Sequence, residues 1–202
     1  MKIVRYLPDE GARRLLERYL DLLYGESSEV NLTRVPQAEA WTRHIEESLD
    51  LIPLRLWSSG DLVLDLGSGA GIPGIPLAIA QPQVSVGLIE RDRSKVAFLA
   101  RCVDTLGLSA VEVLGKDALE LARSQGFVAA DVLVSRAAVP PQDLFRTARR
   151  LLRTGGEGLV HVGASVSLGA ELSLAASRAG LGDLRLQTSG RSRVLRFRRL
   201  SG

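Results

Sequence analysis

The chain has 202 residues, 46% of them hydrophobic, with Lys+Arg 26 against Asp+Glu 23 and a formal charge of +3. That is enough for one globular core without disulfides or metals. The lone cysteine, Cys102, and the two histidines, His44 and His161, exclude a disulfide scaffold and a zinc module.

The N-terminal stretch Met1 to Leu20 is broken by Arg5, Asp9, Glu10, Arg13 and Arg14. It offers no apolar run approaching the roughly 20 residues of a membrane helix, so a cytoplasmic protein with no membrane partner is expected. Leu15, Leu16, Tyr19, Leu20, Leu22 and Leu23 recur at helical spacing and predict a helix over 9–24, capped by Asp9, with a polar turn at Gly25–Glu29. A second helical stretch is predicted from about Pro36 to Leu51. Residues 1–58 thus read as a helical extension and 59–202 as the main domain.

From Asp61 the texture changes to short apolar runs. Strands are predicted at Leu62–Leu66, Val84–Ile89, Val111–Leu114, Asp131–Ser135, Leu159–Gly163, Leu184–Thr188 and Val194–Leu200. Helices fall between the first five, at about Gly74–Ala80, Asp92–Leu106, Ala118–Ser124 and Pro141–Leu152. This alternation makes βαβ units on a parallel sheet. The last two strands, separated only by Ser189-Gly190-Arg191, leave no room for a crossover helix and should form an antiparallel hairpin. The expected fold is α/β: a mostly parallel seven-stranded sheet ending in that hairpin.

The first strand runs into Asp65-Leu66-Gly67-Ser68-Gly69-Ala70-Gly71-Ile72-Pro73-Gly74-Ile75-Pro76. A glycine-rich turn at this point lets a ligand lie against backbone at the carboxyl end of the sheet. Two readings compete. Gly69 to Gly74 spells the dinucleotide fingerprint G-x-G-x-x-G, while Asp65, Gly67, Gly69 and Gly71 spell the acid-x-G-x-G-x-G loop of S-adenosylmethionine (AdoMet) binding. A pyrophosphate needs backbone N–H donors at the following helix, yet Pro73 and Pro76 each remove one. A sulfonium cofactor tolerates that loss, and its cationic amino group suits Asp65, so AdoMet is favoured. Glu90 ends the second strand, where an acceptor would take the ribose hydroxyls. Asp117, after the third strand, reads equally as an adenine-side residue or a helix N-cap. The fourth strand ends in Ser135-Arg136-Ala137-Ala138-Val139-Pro140, with neither the Asn/Asp-Pro-Pro-aromatic segment of exocyclic-amine methylases nor the cysteine of cytosine-C5 enzymes. Cys102 falls inside a predicted helix, as a buried apolar residue.

In order along the chain, Asn31-Leu32-Thr33, Arg43-His44-Ile45-Glu46-Glu47-Ser48, the turn from Asp65 to Pro76, Lys95-Val96-Ala97-Phe98-Leu99 and Val134-Ser135-Arg136-Ala137 resemble the small-subunit ribosomal RNA methyltransferase G family, also called glucose-inhibited division protein B. The resemblance implies a Rossmann-like, AdoMet-dependent methylase of a guanine N7 in bacterial 16S rRNA, a monomer whose partner is that RNA or the small ribosomal subunit. It places Gly67, Ile72, Ala118, Leu119 and Arg136 on cofactor-contact positions, alongside Asp65, Ser68, Gly69, Gly71, Glu90 and Asp117 of the loop reading. Asn31 and His44 become substrate-side residues. The chain departs from the family pattern at Asp117-Ala118-Leu119, where Arg-Ala-Glu is usual, at Glu47, where Asp is usual, and at Val162, where a lysine is common. No catalytic base and no metal are implied, because guanine N7 has a free lone pair and no proton to lose. The alternatives are a methylase of another RNA, protein or small molecule, or a non-catalytic RNA-binding paralogue.

The charge also has a place. Of the 26 basic residues, Arg185, Arg191, Arg193, Arg196, Arg198 and Arg199 follow Asp183, the last acid, so residues 1–184 hold 20 basic and 23 acidic groups. Arg136, Arg196 and Arg198 are therefore expected to meet RNA phosphates.

Overall fold

A computed structural model describes residues 6–136 and 141–201; Ala137 to Pro140, including the end of the Ser-Arg-Ala segment, lie outside the described residues. One sheet runs through the molecule in the order β3-β2-β1-β4-β5-β7-β6. Its strands are β1 (Leu62–Leu66), β2 (Ser85–Ile89), β3 (Val111–Leu114), β4 (Ala130–Arg136), β5 (Leu152–His161), β6 (Leu181–Ser189) and β7 (Ser192–Arg199). Strands β1 to β5 pair parallel, and β7 pairs antiparallel with both β5 and β6. The expected hairpin is present, with β7 inserted between β5 and β6.

The central strands are buried on both faces, and the period of two sorts their side chains into two layers. Val63, Val86, Leu88, Val132 and Val134 pack with α1 (Glu10–Val30), α3 (Gly74–Ala80) and α4 (Arg93–Thr105). Leu64, Leu66, Leu133 and Val160 face the other way, against Leu144, Phe145 and Ala148 of α6 (Pro141–Leu151) and Ala176 of α7 (Ala170–Arg178). Phe145 meets Phe197 of β7 edge-on at 5.4 Å. The N-terminal segment joins the first layer through Leu16, Tyr19, Leu23, Ile45 and Leu51.

Three expectations are corrected. Helix α1 continues through the predicted turn at Gly25–Glu29 and stops at Asn31, whose φ of 51° is the left-handed conformation that ends helices; a glycine inside a helix costs only about 1 kcal/mol. The predicted helix over 36–51 is instead a chain of short pieces: 3-10 turns at Gln37–Glu39 and Ile52–Leu54, a π-helix at Trp41–Glu46 and α2 (Glu47–Leu49). Helix α7 was not anticipated. Its segment is rich in Ala, Ser and Gly and begins at Gly169 without a side-chain cap, although Leu172, Ala175, Ala176 and Ala179 sit at helical spacing toward the core. The one-turn α5 (Ala118–Leu121) completes the set. No helix among the described residues is long and apolar enough to cross a membrane.

Candidate functional site

At the carboxyl end of β1 the chain turns on glycines that no other residue replaces cheaply. Gly67, Gly69 and Gly71 have φ values of 68°, 58° and 91°, a region costly to residues with a Cβ. Their local surroundings differ. A Cβ on Gly71 would lie 2.4 Å from Ile75 Cδ1, and one on Gly74 would lie 2.4 Å from Leu88 Cδ2, whereas a Cβ on Gly69 meets nothing closer than the Gly67 carbonyl at 3.9 Å. Gly71 and Gly74 are thus demanded by packing, and Gly69 by its backbone and by the open space beside it.

Asp65 stands behind this turn. It is fully buried; its Oδ2 accepts from Gly74 N at 3.1 Å, and its Oδ1 has no partner. Burial raises its carboxyl from 3.8 to about 7, against the hydrogen bond from Gly74 N–H that lowers it. Ser68 Oγ donates to the Asp65 carbonyl at 3.0 Å.

In front of the turn opens a cleft of about 740 Å³ along the carboxyl ends of β1, β2 and β4. Of the residues selected from sequence, Gly67, Gly69, Glu90, Asp117, Ala118, Leu119 and Arg136 line it. Asp65, Ser68, Gly71 and Ile72 do not: they shape the turn from behind. Glu90 holds the cleft's edge, its Oε2 accepting from Gly69 N at 2.9 Å and its Oε1 from Arg91 N at 2.8 Å and Asp92 N at 2.9 Å. Asp117 is the N-cap of α5, accepting from Leu119 N at 2.9 Å and Glu120 N at 3.4 Å. Arg91, Lys95, Lys116 and Arg146 complete the rim, and sequence reasoning had selected none of them.

Arg136 closes the cleft toward the N-terminal segment. Its guanidinium donates to the Arg43 carbonyl at 2.7 Å and to His44 Nδ1 at 3.2 Å, with Glu47 Oε2 at 3.9 Å. A guanidinium only donates, so His44 Nδ1 accepts and the ring proton is on Nε2, 2.9 Å from Thr33 Oγ1. Burial, reinforced by Arg136, lowers His44 to about 4, so the ring is neutral near pH 7. His161, opposite Arg136 in the β4–β5 register, is likewise held to about 4 by burial, and its Nε2 donates to the Glu47 carbonyl at 2.9 Å. Asn31 ends α1, in the turn role its residue type suggests.

The tail arginines expected to meet RNA have partners within the protein. Arg196 donates to both oxygens of Glu157, at 3.0 and 3.1 Å, and to the Leu54 carbonyl at 3.0 Å. Arg198, half exposed, shares the same carboxylate. Glu157 pairs in register with Val132, four residues before Arg136, so this cluster lies toward the opposite end of the sheet from the cleft. Arg193 is bound to the Gly163 and Val166 carbonyls, and Arg199 to the Leu152 carbonyl. The strand buries one side chain in two, and the arginines between find acceptors on neighbouring elements instead of projecting as a free basic tail. Cys102 is buried, and burial pushes its thiol up to about 12.

The family profile described as rRNA small subunit methyltransferase G matches residues 12–175. A protein of that name from Anaeromyxobacter dehalogenans is 39% identical over 174 residues, covering 86% of this chain and 79% of its own length. Its Mycobacterium leprae namesake is 40% identical over 153 residues, covering 75% of this chain and 61% of its own. Among solved structures, the S-adenosylmethionine-dependent methyltransferase SibL superposes with a TM-score of 0.63 at 16% identity, covering 96% of this chain and 72% of that one. The E81Q mutant of MtNAS, solved with S-adenosylmethionine, gives 0.62 at 16% identity, covering 95% and 77%. At such identities these two likenesses describe the fold.

Proposed function

Because the chain belongs to the rRNA small subunit methyltransferase G family, we propose that it transfers a methyl group from AdoMet to N7 of a guanine in bacterial 16S rRNA, by direct in-line attack and without a general base. The observation that carries this reading is the cleft itself, where a side-chain-free turn at Gly67 and Gly69 faces Glu90 on one side and Arg136 on the other.

The residues fit the cofactor. Glu90 is an acceptor-only carboxylate at the end of β2, suited to two ribose hydroxyls, and its three backbone hydrogen bonds fix its orientation. Ala118 and Leu119 give a largely apolar side on which a purine can lie. The unpartnered buried Oδ1 of Asp65 places a spare acceptor next to the turn, of the sign a cationic amino group needs. When bound, AdoMet supplies an electrophilic methyl on its sulfonium.

The protein's remaining task is orientation. Holding two reactants in line is worth roughly 7–11 kcal/mol of barrier, and guanine N7 presents its lone pair without deprotonation. His44 supports the same view, since both of its ring nitrogens are engaged, one by Arg136 and one by Thr33. Arg136 acts as a positioning residue between the cleft and the N-terminal segment, because a cation beside a guanine that is itself becoming cationic opposes transfer.

The test is to incubate the chain with methyl-labelled AdoMet and 16S rRNA, free or in the small subunit, and to treat the RNA with borohydride and aniline. The expected result is label in the RNA and scission at a single guanine. Label without scission would reject N7, and no label on either form of the RNA would reject the activity.

A further inference from the structure

Helices α6 and α7 lie side by side on one face of the sheet, and between them runs a groove of about 790 Å³ lined by Arg146, Arg149, Arg150, Arg178 and Glu171 among others. Arg146, Arg150 and Arg178 are exposed. Arg146 pairs with Asp143 at 2.9 Å, while Arg149, Arg150 and Arg178 make no ion pair among the described residues.

Helix electrostatics accounts for part of this charge. Arg149 and Arg150 fall in the last turn of α6 and Arg178 in the last turn of α7, where the helix C-terminus carries roughly half a negative charge and favours cations. Two such ends together with Glu171 and Asp143, the partner of Arg146, offset about three of the four arginine charges, which leaves about one positive charge uncompensated in one concavity. Single exposed arginines are ordinary; a groove that converges them is not.

The groove is also continuous with the cleft. Arg146 lines both, beside Asp143 and Thr147 of the cleft, and from Arg146 to Arg150 the helix rises only about 6 Å. A polyanion leaving the cleft therefore meets its next cations along α6. We propose that the α6–α7 groove binds the phosphate backbone of the RNA strand whose base enters the cleft. This rests on the rRNA methyltransferase reading above.

The test uses the full chain with Arg150→Gln and Arg178→Gln together, protein-free 16S rRNA as the probe, and filter binding between 50 and 200 mM salt. Each single-strand phosphate contact contributes about −0.7 to the slope of log affinity against log salt. Losing two should flatten the slope by about 1.4, so that the fourfold rise in salt weakens the variant about sevenfold less than the unaltered chain. AdoMet affinity by calorimetry should stay unchanged and the melting temperature should fall by no more than a few degrees, the cost of two helix-end cations, which separates this effect from misfolding. The control pair Arg14→Gln and Arg18→Gln sits on exposed positions of α1, a helix that packs in the opposite layer, and should leave the slope alone. An unchanged slope in the groove variant, or an equal flattening in the control, overturns the groove while leaving the methyltransferase reading intact. If the unaltered chain shows no salt-dependent affinity for this RNA, the groove falls, while the methyltransferase reading is decided separately by labelling of the small subunit.

Discussion

Replacing Glu90 isolates the cofactor reading from the fold. Its carboxylate accepts three backbone N–H groups: Gly69 N is partly buried, whereas Arg91 N and Asp92 N are exposed and can turn to water. Glu90→Ala therefore costs stability chiefly at Gly69, about 1 kcal/mol, which lowers the melting temperature by roughly 2–4 °C in a chain of this size. Ligand binding suffers more. Two ribose hydroxyls lose a charged acceptor at roughly 1.5 kcal/mol or more apiece, so the AdoMet Kd should rise by about two orders of magnitude. Glu90→Gln recovers little, because its NH2 group must oppose either Gly69 N–H or the Arg91 and Asp92 N–H pair. Titration calorimetry alongside thermal unfolding reads both quantities. A Kd within threefold of the unaltered chain, at a melting temperature that has fallen as expected, would refute the assignment of Glu90 to the ribose.

Gly69→Val should weaken AdoMet binding at least tenfold for about 1–2 kcal/mol of backbone strain, while Gly71→Ala, whose Cβ would strike Ile75, should cost at least as much stability through overpacking alone; calorimetry and urea unfolding of the pair distinguish the two roles, and equal AdoMet affinities would undo the distinction. Arg136→Gln removes a cation that depresses His44, so the imidazole should titrate above 4 when followed by NMR, with methyl transfer reduced; an unmoved titration would mean that the hydrogen bond at 3.2 Å is not formed in solution. On pH, His44 and His161 stay neutral in the folded chain down to about 4, against an ordinary 6.5, so the stability they contribute is complete above 6.5 and is lost as pH falls toward 4; Asp65, raised from 3.8 to about 7, has the opposite slope and loses its contribution as pH rises across that window. Two histidines outweigh one carboxyl, so unfolding in urea should show higher stability at pH 6.5 than at pH 4.5, with a steeper rise in Asp65→Asn; a fall instead would contradict the burial of the two rings.

What the sequence revealed of the fold follows from how local each signal is. Strands β1 and β3 and helix α3 begin and end at the residues expected, because each is a short, mostly apolar run that stops at a glycine or a polar residue. β5 starts seven residues earlier than expected, at Leu152, because the chain passes through Gly155 at φ 78° into the sheet rather than ending a loop there. Likewise Gly25 looks like a helix stop and Asn31 is one, a difference settled by packing of Tyr19 and Leu23 and by the Tyr24 hydroxyl donating to the Val35 carbonyl at 2.8 Å. At the site, the glycine turn and Glu90 were legible since backbone conformation is written in residue type. The cap role of Asp117 was one of two readings its position allowed. The Arg136–His44 contact joins residues 92 apart, and Arg196 reaches Leu54 across 142. No periodicity encodes such pairings.

The same distance in sequence reverses the meaning of the charge. The chain beyond Asp183 looks like a free cationic tail, yet Arg196 sits among Glu157, Leu54 and Arg198, with its side chain 24% exposed. Lys95 and Lys116 at the cleft and Arg149, Arg150 and Arg178 along α6 and α7 stand without an ion pair among the described residues. Arg196→Gln is the variant in which these two accounts part. It strips one of two guanidinium partners from Glu157, whose side chain is 12% exposed, and leaves the Leu54 carbonyl unpaired. Loss of one partner from a partly buried charged pair costs about 2 kcal/mol, a drop of roughly 4–8 °C in melting temperature. The salt dependence of RNA binding, measured where the variant is fully folded, should not move, since Arg196 is engaged by Glu157 and the Leu54 carbonyl, on the face opposite Leu195, Phe197 and helices α6 and α7. A flattened salt slope with an unchanged melting temperature would reverse the argument, restoring the hairpin to the RNA-binding surface and making its ion pairs incidental to the fold.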